Sequence, residues 1–169
     1  MSRKLKIVLI GVLLGITVIG GGVWYFMEKV EQEKQELIQK SAQEIEDFYQ
    51  WNYIGVEKTT TGKLWKNPAS GELELDYSVY VGNLKKHEFS ASWNKDGDIE
   101  LGFFGNKSEN KPTIKVAESG MRKKGIDPYN YLLQPKDIKK LRKKGYTKKI
   151  SGEEIKNYLR KTYPENIDN

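Results

Sequence analysis

The sequence predicts an α+β fold: an N-terminal transmembrane helix, then a helix packed on an antiparallel β-meander of about four strands, then C-terminal helices. Three observations support this. The 21 residues from Ile7 to Met27 carry no charge. Apolar residues recur at helical spacing over residues 28–52. From Glu72 to Val81 apolar and polar residues alternate, which is typical of a strand with one buried face.

The apolar N-terminal segment is long enough to span a bilayer, because a helix of this length rises about 31 Å against a hydrocarbon core of ~30 Å. Basic residues precede it at Arg3, Lys4 and Lys6, and short basic flanks stay in the cytoplasm. We therefore expect residues 1–6 to be cytoplasmic, residues 7–27 to span the cell membrane, and the rest to be extracellular. A cleaved signal peptide is the alternative, but its apolar region normally has only about 7–15 residues.

Cysteine is absent from the chain, which excludes disulfides, thiolate catalysis and cysteine-ligated zinc. An exported protein without cysteine favours a Gram-positive envelope. The net charge of +6 is unevenly distributed. Residues 28–60 hold four basic and eight acidic side chains, whereas residues 120–161 hold fourteen basic and four acidic ones. Such a field selects partners without setting the fold.

The extracellular part divides into three regions by composition and periodicity. Residues 28–36 predict a polar helical stalk, 37–119 a helix plus antiparallel sheet, and 120–169 a basic helical C-terminal region. The apolar face of the first helix comprises Val30, Leu37, Ile38, Ala42, Ile45, Phe48 and Tyr49.

Four strands are predicted, near residues 54–65, 72–81, 85–93 and 99–104, with a turn at residues 67–71. Only a three-residue loop, Gly82-Asn83-Leu84, puts Tyr77 opposite Phe89 and keeps both apolar sets on one face. The same requirement, that the apolar residues of neighbouring strands share one face, predicts that Trp93 lies opposite Ile99. We expect one buried face and one wet face, the buried one holding Tyr77, Phe89, Trp93, Leu101 and Phe103. A short strand near Thr113–Val116 is a further option.

The C-terminal region predicts two helices. Pro135 is suited to the first turn of the earlier helix, and Gly145 is suited to end it. Ser151 and Glu154 have the spacing of a capping box, so a second helix should run from there to about Thr162.

Three short stretches, Trp51-Asn52-Tyr53, Asn67-Pro68 and Phe89-Ser90-Ala91-Ser92, resemble small membrane-anchored Gram-positive proteins of unknown function. The helix-plus-meander order also resembles cystatin-like and NTF2-like domains. This resemblance covers roughly residues 40–105. It implies either an immunity-type protein that neutralises a secreted toxin or an accessory subunit of a secretion or conjugation machine. It assigns no functional residue.

No catalytic, cofactor-binding or metal-binding residue is assigned. The single histidine, His87, falls near a strand end. Glu72, Glu74 and Asp76 share one strand face, where alternation alone explains them. The loop Asn94–Glu100 resembles a calcium loop, but the EF-hand positions for glycine and glutamate hold other residues, so a hairpin turn is favoured.

A basic run is the one feature that suggests a ligand. We predict polyanion contact, with anionic lipid or wall polymer as partner, by Lys136, Lys139, Lys140, Arg142, Lys143, Lys144, Lys148 and Lys149; Arg122, Lys123 and Lys124 form a second cluster. A merely solvated helix face is the alternative. The expected function is a membrane-anchored extracytoplasmic binding module, non-enzymatic, with an unidentified protein partner. An envelope hydrolase using carboxylates or His87, or a nucleic-acid-binding accessory protein, remains the alternative, although the predicted topology disfavours nucleic acid.

Overall fold

A computed structural model of the chain describes residues 7, 10, 11, 23–104, 111–116 and 128–164, with backbone only for 23–27 and 128. Helix α1 spans Val23–Asn52. The strands are β1 (Tyr53–Ile54), β2 (Val56–Lys66), β3 (Leu73–Val81), β4 (Lys85–Trp93), β5 (Ile99–Glu100) and β6 (Thr113–Ile114). A 3-10 helix, Pro128–Tyr131, precedes helices α2 (Pro135–Lys143) and α3 (Gly152–Thr162). The α+β class and the C-terminal helices are therefore confirmed.

Two sheets are present in the described part of the chain. The larger has four strands in the order β2-β3-β4-β5, as a meander requires. The smaller pairs β1 with β6, with Tyr53 opposite Ile114. The weaker expectation of a short strand after Pro112 is thus confirmed for Thr113–Ile114.

The chain divides into two compact units. Unit 1 comprises Met1–Glu44, Thr59–Val79 and His87–Phe103, and unit 2 comprises Ile45–Lys58, Tyr80–Lys86 and Phe104–Asn169. In unit 1 the helix is packed on the antiparallel sheet, and its buried residues include Leu37 and Ser41 from the helix with Leu75 and Ala91 from the sheet. The predicted helix-on-sheet arrangement lies here.

The contacts between β3 and β4 agree with the predicted register. The rings of Tyr77 and Phe89 stack with centroids 5.5 Å apart, and Ser90 Oγ donates to Asp76 Oδ1 at 3.2 Å. The hairpin at the other end is confirmed directly, since Trp93 pairs with Ile99. The requirement that the apolar residues of both strands share one face was therefore sufficient to predict a three-residue loop and not a two-residue one.

Polar side chains on the wet face of the sheet bond to one another. Trp65 Nε1 donates to Asp76 Oδ1 at 2.9 Å, and the side-chain amide of Asn67 donates to Glu74. Asn67 also accepts from the backbone of Ala69 at 2.9 Å and thereby holds the predicted turn. These carboxylates therefore have structural partners across the sheet.

The last strand is shorter than predicted, and the prediction that Phe103 lies on the buried face is wrong. Strand β5 ends at Glu100, and Phe103 is 57% exposed while Phe104 is 1% exposed. The backbone N–H of Gly102 donates to the Tyr77 hydroxyl at 2.9 Å, so it is used by a side chain rather than by a neighbouring strand. The alternation of buried and exposed residues therefore ends where the Tyr77 hydroxyl accepts the backbone hydrogen bond.

Unit 2 is centred on an aromatic cluster. The ring of Phe104 lies 5.8 Å from Tyr49 and 5.5 Å from Tyr53, both near edge-to-face, a favoured aromatic geometry. Phe48 completes the cluster at 5.2 Å from Tyr49. The end of α1 and the start of β1 thus contribute aromatic rings to the core of unit 2, the unit that also contains the C-terminal region.

Helix α3 begins as predicted and approaches a neighbouring segment closely. Ser151 and Glu154 form a complete capping box. A Cβ added to Gly152 would lie 2.2 Å from the carbonyl oxygen of Lys115, a distance that real Cβ atoms do not reach. Glycine therefore lets the first turn of α3 lie against the backbone of residues 115–116.

Most of the predicted anchor, residues 7–27, lies outside the described residues. Among those that are described, no helix is long and apolar enough to cross a membrane. Ile10 is buried, and a Cβ on Gly11 would be 3.9 Å from Leu73.

Replacing Leu75 by alanine tests the buried face of unit 1. Leu75 is fully buried, and a leucine-to-alanine truncation in a core costs about 2–5 kcal/mol of unfolding free energy. Exposed Lys63 on β2 provides the control, because Lys63→Ala should change stability by less than about 0.5 kcal/mol. Denaturant unfolding measures both variants, and equal small losses would contradict the assigned face.

Candidate polyanion-binding surface

Helix α2 exposes the basic run because its two apolar residues point inward. Pro135 occupies the first turn, and Ile138 and Leu141 are each 1% exposed. Gly145, with φ of +86°, follows the end of the helix. The predicted contact residues are all exposed: Lys136, Lys139, Lys140, Arg142, Lys143, Lys144, Lys148 and Lys149. We call these eight residues the basic surface. The second predicted cluster, residues 122–124, lies outside the described residues.

The single acid within the basic run faces inward. Asp137 is 1% exposed, and its Oδ1 accepts hydrogen bonds from Tyr163 at 2.8 Å and Tyr158 at 3.2 Å. Tyr158 lies in the second half of α3 and Tyr163 directly follows that helix, so the carboxylate joins α3 to α2. It also removes from the exposed side of α2 the only negative charge that the run contains.

This arrangement changes the acidity of both tyrosines. Burial, followed by the hydrogen bond to Asp137 and its charge, raises the pKa of Tyr163 to about 12. Burial and the charge of Asp137 also raise the pKa of Tyr158. In each case the neutral phenol is favoured, since it can donate to the carboxylate whereas a phenolate would be repelled by it.

A buried amide ties the end of α1 to the segment before α2. Asn52, 1% exposed, donates from Nδ2 to the carbonyl oxygens of Phe48 and Leu133, both at 2.9 Å. Its Oδ1 accepts from the backbone N–H of Leu133 at 2.7 Å. The periodicity of the sequence did not predict this role. A polar residue within the aromatic run 48–53 was the available signal.

Two lysines meet the same helix end. Lys115 Nζ donates to the carbonyl oxygen of Gln50 at 2.9 Å and to that of Lys148. Lys148 Nζ in turn donates to Gln50 Oε1 at 3.0 Å. Burial, and then repulsion by Lys148, lowers the pKa of Lys115 to about 8. Positive charge at a helix C-terminus is favourable because the last carbonyl groups carry partial negative charge.

Further contacts hold α2 in place. Arg142 forms an ion pair with Asp47 at 2.7 Å, and its guanidinium carbon lies 5.9 Å from the ring centroid of Trp51. Lys144 Nζ lies 5.8 Å from the ring centroid of Tyr158. Together with Lys148, these residues show that part of the basic surface has partners within unit 2. The run is therefore a positioned surface and not simply a free helix face.

The other candidates from the sequence belong to unit 1. His87 is half-buried on β4, and the carboxylates of β3 are on the wet face. Asn94 Oδ1 accepts from the backbone N–H groups of Asp96 at 2.9 Å and Asp98 at 3.0 Å, as the hairpin interpretation of that loop expects. In the ranges that the structure describes, no group of three or more histidine, aspartate or glutamate side chains could hold a metal ion.

Comparisons with protein-family models, with curated proteins and with solved structures found no match.

The link between Asp137 and Tyr163 predicts a loss of stability at alkaline pH. Because the folded protein raises the pKa of Tyr163 to about 12 from an unfolded value near 10, the phenol contributes stability below pH ~10. That contribution is lost as pH rises through about 12. Denaturant unfolding across this window should show a smaller loss for Tyr163→Phe than for the unmodified chain.

The matched control for this experiment is Tyr146→Phe, which removes an exposed phenol and should follow the unmodified chain. Identical pH slopes for Tyr163→Phe and the unmodified chain would contradict the assigned link.

Proposed function

We propose that this chain is a membrane-anchored, extracytoplasmic binding module without enzymatic activity, of immunity-protein type or accessory to a cell-envelope machine. In this proposal the basic surface contacts a polyanion, either anionic lipid or wall polymer. The observation that carries it is the inward burial of Asp137, which leaves eight basic side chains exposed and their one acidic neighbour hidden.

Electrostatics supports contact with a dense polyanion. A lysine or arginine near an anionic surface contributes ~1 kcal/mol, so several residues acting together give substantial binding even where Arg142 and Lys148 also have internal partners. The exposed charges act over a Debye length of about 8–10 Å. Binding should therefore weaken steeply as salt increases.

The anchor and its orientation are supported by the apolar length of residues 7–27 and by the basic flank before them. Insertion in a bilayer would separate Gly11 from Leu73, whose side chain lies 3.9 Å from the place of a Cβ added to Gly11, because a spanning segment and the extracellular sheet cannot touch at that depth.

A topology reporter checks the anchor. An enzyme that is active only outside the cell, fused after Asn169, should be active, since the basic flank keeps the N-terminus inside. Its counterpart is a reporter active only in the cytoplasm at the same position, which should be silent. The reverse result would place unit 2 in the cytoplasm and overturn the proposed location.

Charge removal checks the basic surface. The fragment 30–169 should co-sediment with anionic vesicles and not with neutral ones, and soluble polyphosphate in a parallel arm distinguishes lipid from polymer. Replacing Lys139, Lys140, Lys143 and Lys144 by glutamine should remove most of the binding, about 4 kcal/mol at ~1 kcal/mol for each charge. The fold should survive, because Ile138 and Leu141 remain buried.

The matched control makes the same charge change in unit 1, by replacing Lys40, Lys63, Lys66 and Lys95, all exposed, by glutamine. If the two quadruple variants lose binding equally, net charge and not the basic surface would explain the interaction. If the unmodified fragment binds both vesicle types equally, or neither vesicle nor polyphosphate, the proposal of a polyanion partner fails.

A further inference from the structure

The turn between β3 and β4 exposes an apolar side chain where the backbone disfavours one. We call residues 82–86 the β3–β4 tip. Leu84 is 57% exposed, and its φ is +56°, next to Asn83 at +60°. Glycine and asparagine enter this left-handed region readily, whereas a leucine does so at a cost. Neither solubility nor turn geometry therefore explains leucine at this position.

A carboxylate from β2 holds the tip in this conformation. Glu57 accepts from the backbone N–H of Asn83 at 3.1 Å and from that of Leu84 at 3.3 Å, one through each carboxylate oxygen. Successive N–H groups that converge in this way form an anion-binding concavity. The apolar side chain is thus presented on a fixed turn.

Exposed lysines lie on the tip and beside it. Lys85 and Lys86 follow Leu84 and are exposed. On the adjacent strand, Lys58 Nζ lies 4.6 Å from the ring centroid of Tyr80. Elsewhere in unit 2, Ile54 is a second exposed apolar side chain, at 42%. All of these residues belong to unit 2, as does the basic surface.

We propose that the β3–β4 tip docks on an anionic lipid bilayer, with Leu84 entering the border of the hydrocarbon and the neighbouring lysines at the phosphate headgroups. This inference rests on the proposed function and specifies its polyanion as a membrane surface. A soluble polymer would attract the lysines but could not remove Leu84 from water. A bilayer stabilises both kinds of side chain, since an apolar side chain leaves water by insertion while lysine ammonium groups stay at the headgroups.

The test uses the full chain incorporated in lipid nanodiscs, either neutral phosphatidylcholine or a mixture with anionic phosphatidylglycerol. Because the chain has no cysteine, Gly82→Cys gives a single attachment point for an environment-sensitive fluorophore, and a Cβ there meets no atom within 4 Å. In anionic discs the label should shift to an apolar emission and be quenched by lipid-borne quenchers. The control label, at Lys95→Cys in an exposed turn of unit 1, should stay in water.

Variants at the tip separate its apolar and charged contributions. Leu84→Gly keeps a residue suited to the left-handed turn but removes the side chain, and should lower the ratio of docked to undocked tip about tenfold. Leu84→Met should retain docking. Lys85→Gln and Lys86→Gln should each lower the ratio about fivefold.

Equal label signals in neutral and anionic discs, or an unchanged signal in Leu84→Gly, would overturn the inference. The two proposals can fail separately. If the basic surface binds polyphosphate while the tip label stays in water, the proposed function stands and tip docking is wrong. If the label inserts in anionic discs although the quadruple variant at Lys139, Lys140, Lys143 and Lys144 binds like the unmodified fragment, tip docking stands without the basic surface.

Discussion

The side-chain amide of Asn52 is the interaction on which unit 2 depends. It lies at the last residue of α1, and its three hydrogen bonds reach back to Phe48 and across 81 positions to both backbone groups of Leu133. A buried polar group left without a partner costs about 1–3 kcal/mol, so this site is stable only when all three bonds form together. The amide therefore fixes where the chain must be when it enters α2.

The remaining contacts of the C-terminal region follow from that placement. Once Leu133 is held, α2 begins two residues later and brings Arg142 to Asp47. The loop after α2 brings Lys148 to Gln50. Acidic and carbonyl groups near the end of α1 thus receive cations from the basic run. Part of the uneven charge of the sequence therefore serves contacts between the acidic end of α1 and the basic run. The other lysines of the basic surface give the exposed positive charge.

Local patterns predicted the elements well and the long-range partners poorly. Parity of the apolar face was enough for the pairing of Trp93 with Ile99, and the Ser151–Glu154 spacing was enough for the start of α3. Neither pattern could predict that Asn52 bonds to Leu133, because hydrogen bonds between distant segments produce no periodic pattern in the sequence. Phe103 was misplaced for a related reason, as the alternation rule assumes that backbone donors stay in the ladder. The exposed basic residues were predictable, whereas the inward burial of Asp137 was not.

The close approach of Gly152 to Lys115 has a consequence for how this region tolerates sequence change. The capping-box motif constrains Ser151 and Glu154 and leaves the two residues between them open, and glycine is normally a poor choice inside a helix. Here any larger residue would meet a backbone carbonyl, which cannot rotate away as a side chain can. The choice of residue at position 152 is therefore coupled to the backbone geometry of residues 115–116. A larger residue could replace Gly152 only if the backbone of residues 115–116 also shifted away from the first turn of α3.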